Sequence, residues 1–138
     1  MKFKELKKTY IIAELSGNHN GSIKNAIESI RAAKRIGADA IKFQTYTADT
    51  MTLDCNNNDF LLSQGTIWDG EYLHDLYKKA FTPWEWHEEL FNAAKEEGID
   101  CFSTPFDKTA VDFLESLNNP IYKVASFKIT DIPLIEYI

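Results

Sequence analysis

The sequence lacks most of what would mark an extracellular, membrane-spanning or nucleic-acid-binding chain. It has only two cysteines, Cys55 in an Asn-rich stretch and Cys101 in an apolar run, and they offer neither zinc-ligand spacing nor a disulfide framework. Both read as reduced structural thiols. No apolar stretch approaches the roughly 18 to 20 residues needed to span a bilayer, and "MKFKELKKTY" lacks the apolar segment a signal peptide carries after its basic start. A cytoplasmic protein is expected. Positive charge is also in short supply: 15 Lys and Arg against 21 Asp and Glu leave a net charge of -6. That disfavours nucleic acid and anionic membrane surfaces as partners, because both are held through clustered Lys and Arg. A few lysines inside a cleft still suffice for a small anion.

What is present fits one soluble globular unit, with 138 residues, 44% of them apolar and 26% charged. Four short β-branched runs read as strands: "YIIAEL" at 10–15, "DAIKFQT" at 39–45, "DCFSTPF" at 100–106 and "IYKVAS" at 121–126. Helical periodicity fills the intervals. "SIKNAIESIRAAKRIG" places Ile23, Ala26, Ile27, Ile30, Ala33 and Lys34 near one face, with Ser22 as N-cap and Gly37 as the stop. "PWEWHEELFNAAKEEG" runs from Pro83 to Gly98, Asp107 caps a third helix, and "PLIEYI" begins a fourth.

Strand and helix in alternation argue for βα units on a parallel sheet. A doubly wound sheet and a (β/α)₈ barrel both suit this pattern. The sequence reaches Ile138 inside an apparent helix without a stop signal, and a full barrel needs about 250 residues. Four βα units of a larger, partial barrel are therefore expected. The connection from Tyr46 to Thr82 is long for a compact domain, so residues 46–82 read as a loop or lid excursion with its own short helix over one rim.

The strand ends carry groups that a purely structural sheet has little use for. Glu14 closes the first run, Lys42 and Gln44 share one face of the second, Ser103 and Thr104 end the third, and Lys123 and Ser126 lie in the fourth. Active sites of parallel α/β folds sit at these carboxyl ends, and the set suits an anionic, oxygen-rich ligand. Plainer readings stand beside this one. Lys42 and Glu14 can be a simple ion pair, while Ser103, Thr104 and Ser126 can close turns. His19, in "GNHNG", reads as a hydrogen-bonding turn residue before a metal ligand or general base. His74 and His87 read as surface or rim residues, and Trp68, Trp84 and Trp86 as packing for the long connection.

Taken together, "IIAELSGNHNGS", "ADAIKFQTYTADT", "CFSTPFD" and "YKVASF" resemble the amino-terminal half of the N-acetylneuraminate (sialic acid) synthase family. "GTIWDG" and "TPWEWH" look most like its pseudaminic acid synthase branch. The resemblance implies a (β/α)₈ TIM barrel followed by a small antifreeze-like domain, the latter absent here, in a homodimer whose small domains cover the partner's active site. It implies condensation of phosphoenolpyruvate with a 2,4-diacetamido-2,4,6-trideoxy hexose to a nine-carbon 2-keto acid, with phosphate release. Sialic or legionaminic acid synthesis is the neighbouring alternative, and a non-catalytic, anion-binding or self-associating half-barrel is another. By resemblance Glu14 is catalytic, and Lys42, Gln44, Thr104, Lys123 and Ser126 bind substrate. A divalent manganese or magnesium ion is implied, with ligands outside these residues. Lys128 stands where the family pattern has Glu, and its role is left open.

Overall fold

The computed structural model describes residues 6–138. Three of the four predicted strands form: β1 (Ile12–Ser16), β2 (Ala40–Thr45) and β3 (Asp100–Pro105), all parallel, in the order β1-β2-β3. That order decides between the two architectures. A doubly wound sheet reverses direction at a switch point, whereas a barrel adds every new strand to the same edge. Here Tyr122 forms a parallel bridge to Ser103 on the free edge of β3, so the succession continues in one direction, as in a (β/α)₈ barrel.

The expected fourth strand at 121–126 is corrected to that single bridge, followed by a 3₁₀ turn over Ser126–Lys128. The reason is local. Asn119 accepts a hydrogen bond from Ser103 N at 3.0 Å and donates to Ile121 O at 2.7 Å, so a side-chain amide takes up backbone groups that a ladder would have used. Pro120 beside it has no N–H to offer.

The helices follow their sequence signals. Ser22 accepts from Asn25 N at the start of α1 (Ile23–Arg35), and Gly37, at φ 85°, makes the left-handed exit. The helix α4 (His87–Glu97) ends on Gly98, and Asp107 caps α5 (Lys108–Ser116) through Thr109 N and Ala110 N. Ala26, Ile30 and Ala33 of α1 pack with Leu90 and Ala94 of α4 against Ile41, Phe43 and Cys101 of the sheet. Each large apolar side chain fully buried there contributes about 1.5 to 3 kcal/mol, and the alanines let the two helices lie close. A short helix, α6 (Ile132–Ile135), closes the described chain, and among the described residues no helix is long and apolar enough to cross a membrane.

The excursion at 46–82 is more ordered than its composition suggests. It contains α2 (Ala48–Met51), a hairpin closed by the Leu61–Tyr72 bridge, and α3 (Leu73–Ala80). A second, smaller core fastens it over the strand ends: Tyr46 meets Tyr77 and Phe106 edge-on, with ring centroids 5.7 and 5.5 Å apart. At the exit of β1, Gly17 faces the carbonyl of Ala80 so closely that a Cβ at that position would lie 2.2 Å from the oxygen.

Candidate functional site at the carboxyl ends of the strands

Alternation along the strands sorts the polar residues onto two faces. Ile41, Phe43 and Cys101 face α1 and α4, and Thr45 and Ser103 share their parity. The register Glu14–Lys42–Phe102 and the pair Gln44–Thr104 put Glu14, Lys42, Gln44 and Thr104 together on the other face.

On that second face the Lys42 side chain is only 2% exposed, and its Nζ lies 3.6 Å from Oε1 of Glu14, whose side chain is 56% exposed. The ion pair anticipated from the sequence is present, though longer than a hydrogen bond. Burial pushes the Lys42 ammonium below its ordinary pKa; the Glu14 carboxylate opposes that shift, and the positive charge of Lys123 adds to it. The two lysines therefore act on one another across the face. Thr104 is fully buried and its hydroxyl has no hydrogen-bond partner among the described residues, a costly state for a polar group in a folded chain. Gln44 is half-buried. Lys123 is exposed, and Ser126 is exposed at the first position of its 3₁₀ turn. Lys128 pairs locally with Asp131 at 3.3 Å.

Ser103, read from the sequence as a hydroxyl donor to an anion, points the other way. It bonds Thr45 Oγ1 at 2.7 Å, and Thr45 Oγ1 lies 2.8 Å from His87 Nε2. His87 Nδ1 lies 3.2 Å from Pro83 O. A carbonyl only accepts, so Nδ1 carries the proton, Nε2 accepts from Thr45, and Ser103 donates to Thr45. The chain of bonds is complete with a neutral imidazole, and burial lowers the His87 pKa to about 4.

The histidines are the clearest departures from the sequence reading. His74 and His87, expected at the surface, are 2% and 0% exposed. His87 is satisfied by the bonds above; His74 Nε2 pairs with Asp49 at 2.8 Å, while its buried Nδ1, 3.5 Å from Asp54, has no hydrogen-bond partner among the described residues. His19 is indeed a turn residue, its Nδ1 accepting from Gly21 N at 3.2 Å, but it is also buried, with Nε2 3.4 Å from Thr82 Oγ1 and its pKa lowered by burial.

A cavity of about 550 Å³ opens beside Gln44, between the exit loop of β1 and the excursion, and reaches Tyr46, Trp68 and Tyr77. Trp68, expected as packing, lines this cavity. A second cavity, of about 630 Å³, lies at the amino end of β3 around Gly98 and Asp100 and contains none of the strand-end set.

Parallel βα units added in one direction define a barrel-type α/β protein, with Glu14, Lys42, Gln44 and Thr104 on one face of its sheet. The chain belongs to the NeuB family, which it matches over residues 29–138. It is 52% identical to the pseudaminic acid synthase of Campylobacter jejuni over 125 residues, 91% of this chain and 36% of that protein. It is 35% identical to the N,N'-diacetyllegionaminic acid synthase of Legionella pneumophila, over 93% of this chain and 36% of that one. Among solved structures, the N-acetylneuraminic acid synthetase of Leptospira borgpetersenii, in complex with citrate, superposes with a TM-score of 0.81 at 26% identity, covering 99% of this chain and 45% of that one. The chain thus spans roughly a third of the length of these curated relatives.

Proposed function

We propose that this sequence forms the amino-terminal part of a cytoplasmic, homodimeric pseudaminic acid synthase, which joins phosphoenolpyruvate to a 2,4-diacetamido-2,4,6-trideoxy hexose. The observation that carries the anion-binding part is the fully buried, unpartnered hydroxyl of Thr104 on the same face as the buried ammonium of Lys42. A buried donor without a partner is satisfied by an oxygen-rich ligand. The choice of acceptor rests on the higher identity to the Campylobacter jejuni pseudaminic acid synthase than to the legionaminic enzyme.

In this reading Lys42 and Lys123 neutralise the phosphate and carboxylate of phosphoenolpyruvate while Thr104 and Ser126 donate hydrogen bonds. Gln44, at the cavity wall, touches the sugar and holds its aldehyde carbon near the enol carbon. The new C–C bond forms between C3 of phosphoenolpyruvate and the aldehyde carbon at the expense of the enol and carbonyl π bonds, leaving C2 electron-poor and the aldehyde oxygen an alkoxide. Water adds at C2, and its proton passes through Glu14 to that alkoxide. Phosphate then leaves by C–O cleavage as the keto group forms. Glu14 is suited to this role because its carboxylate is solvated yet tethered by Lys42.

The divalent ion implied by the resemblance would polarise the aldehyde. The described residues do not fit it, since none of their His, Cys, Asp and Glu side chains gather in threes in a way that could hold a metal. Its ligands would come from elsewhere in a complete enzyme.

Phosphate release by the complete synthase, offered phosphoenolpyruvate with each acceptor in turn, tests the reading. Best turnover of N-acetylmannosamine would overturn it. A second reading concerns the chain on its own: Phe127, Ile129 and Ile132 are 60%, 63% and 54% exposed. An apolar surface of that kind favours self-association of an inactive isolated chain. Light scattering decides, and a monodisperse monomer would count against it.

A further inference from the structure

The cavity beside Gln44 has two unlike walls. The β1 exit loop and β2 contribute amides, in Asn18, Asn20 and Gln44, while the excursion contributes Trp68, Tyr77 and Leu76. Among the described residues the one cation at its edge, Lys79, is already paired with Glu71 at 2.6 Å, and no carboxylate lines the cavity. A neutral ligand is favoured over a phosphorylated one, with amide or hydroxyl groups on one side and apolar groups on the other.

Trp68 is held ready for such a ligand. It sits in a loop tied by Asp69, whose carboxylate accepts from Gln64 N, Gly65 N, Thr66 N and the Thr66 hydroxyl at 2.9 to 3.1 Å. The flanking bonds from Leu62 N to Glu71 O and from Gly70 N to Leu62 O, both 2.9 Å, close the hairpin beneath it. Yet the residue stays 43% exposed. A large aromatic fixed by its backbone but left uncovered at a cavity mouth is a contact surface awaiting a partner.

We propose that Trp68 and Tyr77 form a subsite for the methyl-bearing groups of a neutral acceptor, and that Trp68 sets the preference for a diacetamido, 6-deoxy hexose. The inference rests on the reading of the chain as part of a nonulosonic acid synthase. The chemistry is a count of methyl groups. A 2,4-diacetamido-2,4,6-trideoxy hexose carries three, two on acetyl groups and one at C6, whereas N-acetylmannosamine carries one and has a hydroxymethyl at C6. The amide wall and the shared acetyl group serve both sugars; the aromatic wall rewards the two methyl groups that only the first carries, by roughly tenfold or more for each one it covers.

The test uses the complete synthase and compares catalytic efficiency for the two acceptors in the parent, Trp68→Ala and Trp68→Leu. The expected result is a roughly 10- to 100-fold loss for the diacetamido sugar in Trp68→Ala, less than about threefold for N-acetylmannosamine, and an unchanged half-saturation for phosphoenolpyruvate. Trp68→Leu, which keeps bulk in the loop, should lose less, in the same sugar-selective way, and carries the test should the alanine variant misfold. An equal loss for both sugars, or a parallel change toward phosphoenolpyruvate, would overturn the subsite and leave the synthase reading intact. A parent enzyme that prefers N-acetylmannosamine would overturn both.

Discussion

Ser103 and Thr104 are neighbours with nearly the same chemistry, and they live in opposite worlds. Ser103 faces the helices and belongs to a closed line of hydrogen bonds through Thr45 and His87 to Pro83. Thr104 faces the other way, equally buried, and its hydroxyl has no hydrogen-bond partner among the described residues. The helix side of the sheet has settled its polar groups internally and gains rigidity from them. The other side leaves a donor open on the same face as a buried ammonium whose pKa is lowered by burial. Between these two neighbours burial is equal, and the difference is completeness of hydrogen bonding.

Lys42 gives that contrast its largest test. In the complete synthase, Lys42→Ala should lower catalytic efficiency toward phosphoenolpyruvate by about 2 to 4 kcal/mol, roughly 30- to 1000-fold. Stability should hold or rise, because the variant removes a buried cation whose desolvation Glu14 offsets only in part, and Glu14, 56% exposed, stays solvated. Steady-state kinetics and a thermal melt on one variant suffice, and a destabilised enzyme with normal phosphoenolpyruvate kinetics would show the pair to be structural.

On the helix side the effect is on folding and depends on pH. The His87 pKa falls from 6.5 to about 4 on burial, so between those values the unfolded chain binds the extra proton and the folded one does not. Stability therefore falls as pH falls from about 6.5 to about 4, by up to about 3 kcal/mol, and this contribution is flat below. Urea midpoints across that range should show the slope, and His87→Gln should flatten it. A parent and variant with the same slope would place the titration elsewhere.

The smallest effect is the sharpest comparison, a matched pair of Thr→Val changes. Thr45→Val strands His87 Nε2 and the Ser103 hydroxyl and should cost about 1 to 3 kcal/mol. Thr104→Val removes a hydroxyl that has no partner and should leave the urea midpoint unchanged or slightly raised, while half-saturation by phosphoenolpyruvate rises about tenfold. Equal destabilisation by the two would erase the distinction between the faces.

Much of this was legible in the sequence because it depends on short-range rules. Ser22, Asp107 and Gly98 mark helix ends through their own backbone chemistry, and the three laddered strands announce themselves by β-branched runs between turns. The two-residue spacing of Lys42 and Gln44 is enough to place them on one face. Other features were set by distant partners. Ser103 and Thr104 could not be told apart until Asn119, Thr45 and His87 were seen on one side only. His74 and His87 sit in amphipathic segments whose pattern permits exposure, and the groups that pair with them come from elsewhere in the chain. The fourth run has strand composition, yet Asn119 takes its place beside Ser103, an exchange that propensity does not register. Trp68 looked like packing because the sequence shows the aromatic and not the void beside it.

The contact between Gly17 and Ala80 limits how this chain can diverge. The hairpin of the excursion, tied within itself by Asp69, can change length or composition with little consequence for the sheet. The last turn of α3 has no such freedom, since its carbonyl occupies the space of a side chain at position 17. Any relative that carries a larger residue there must also have moved the end of its excursion outward, and with it the wall of the cavity. Position 17 is therefore a marker, readable from sequence alone, of which relatives keep this cavity's shape and which have remade it.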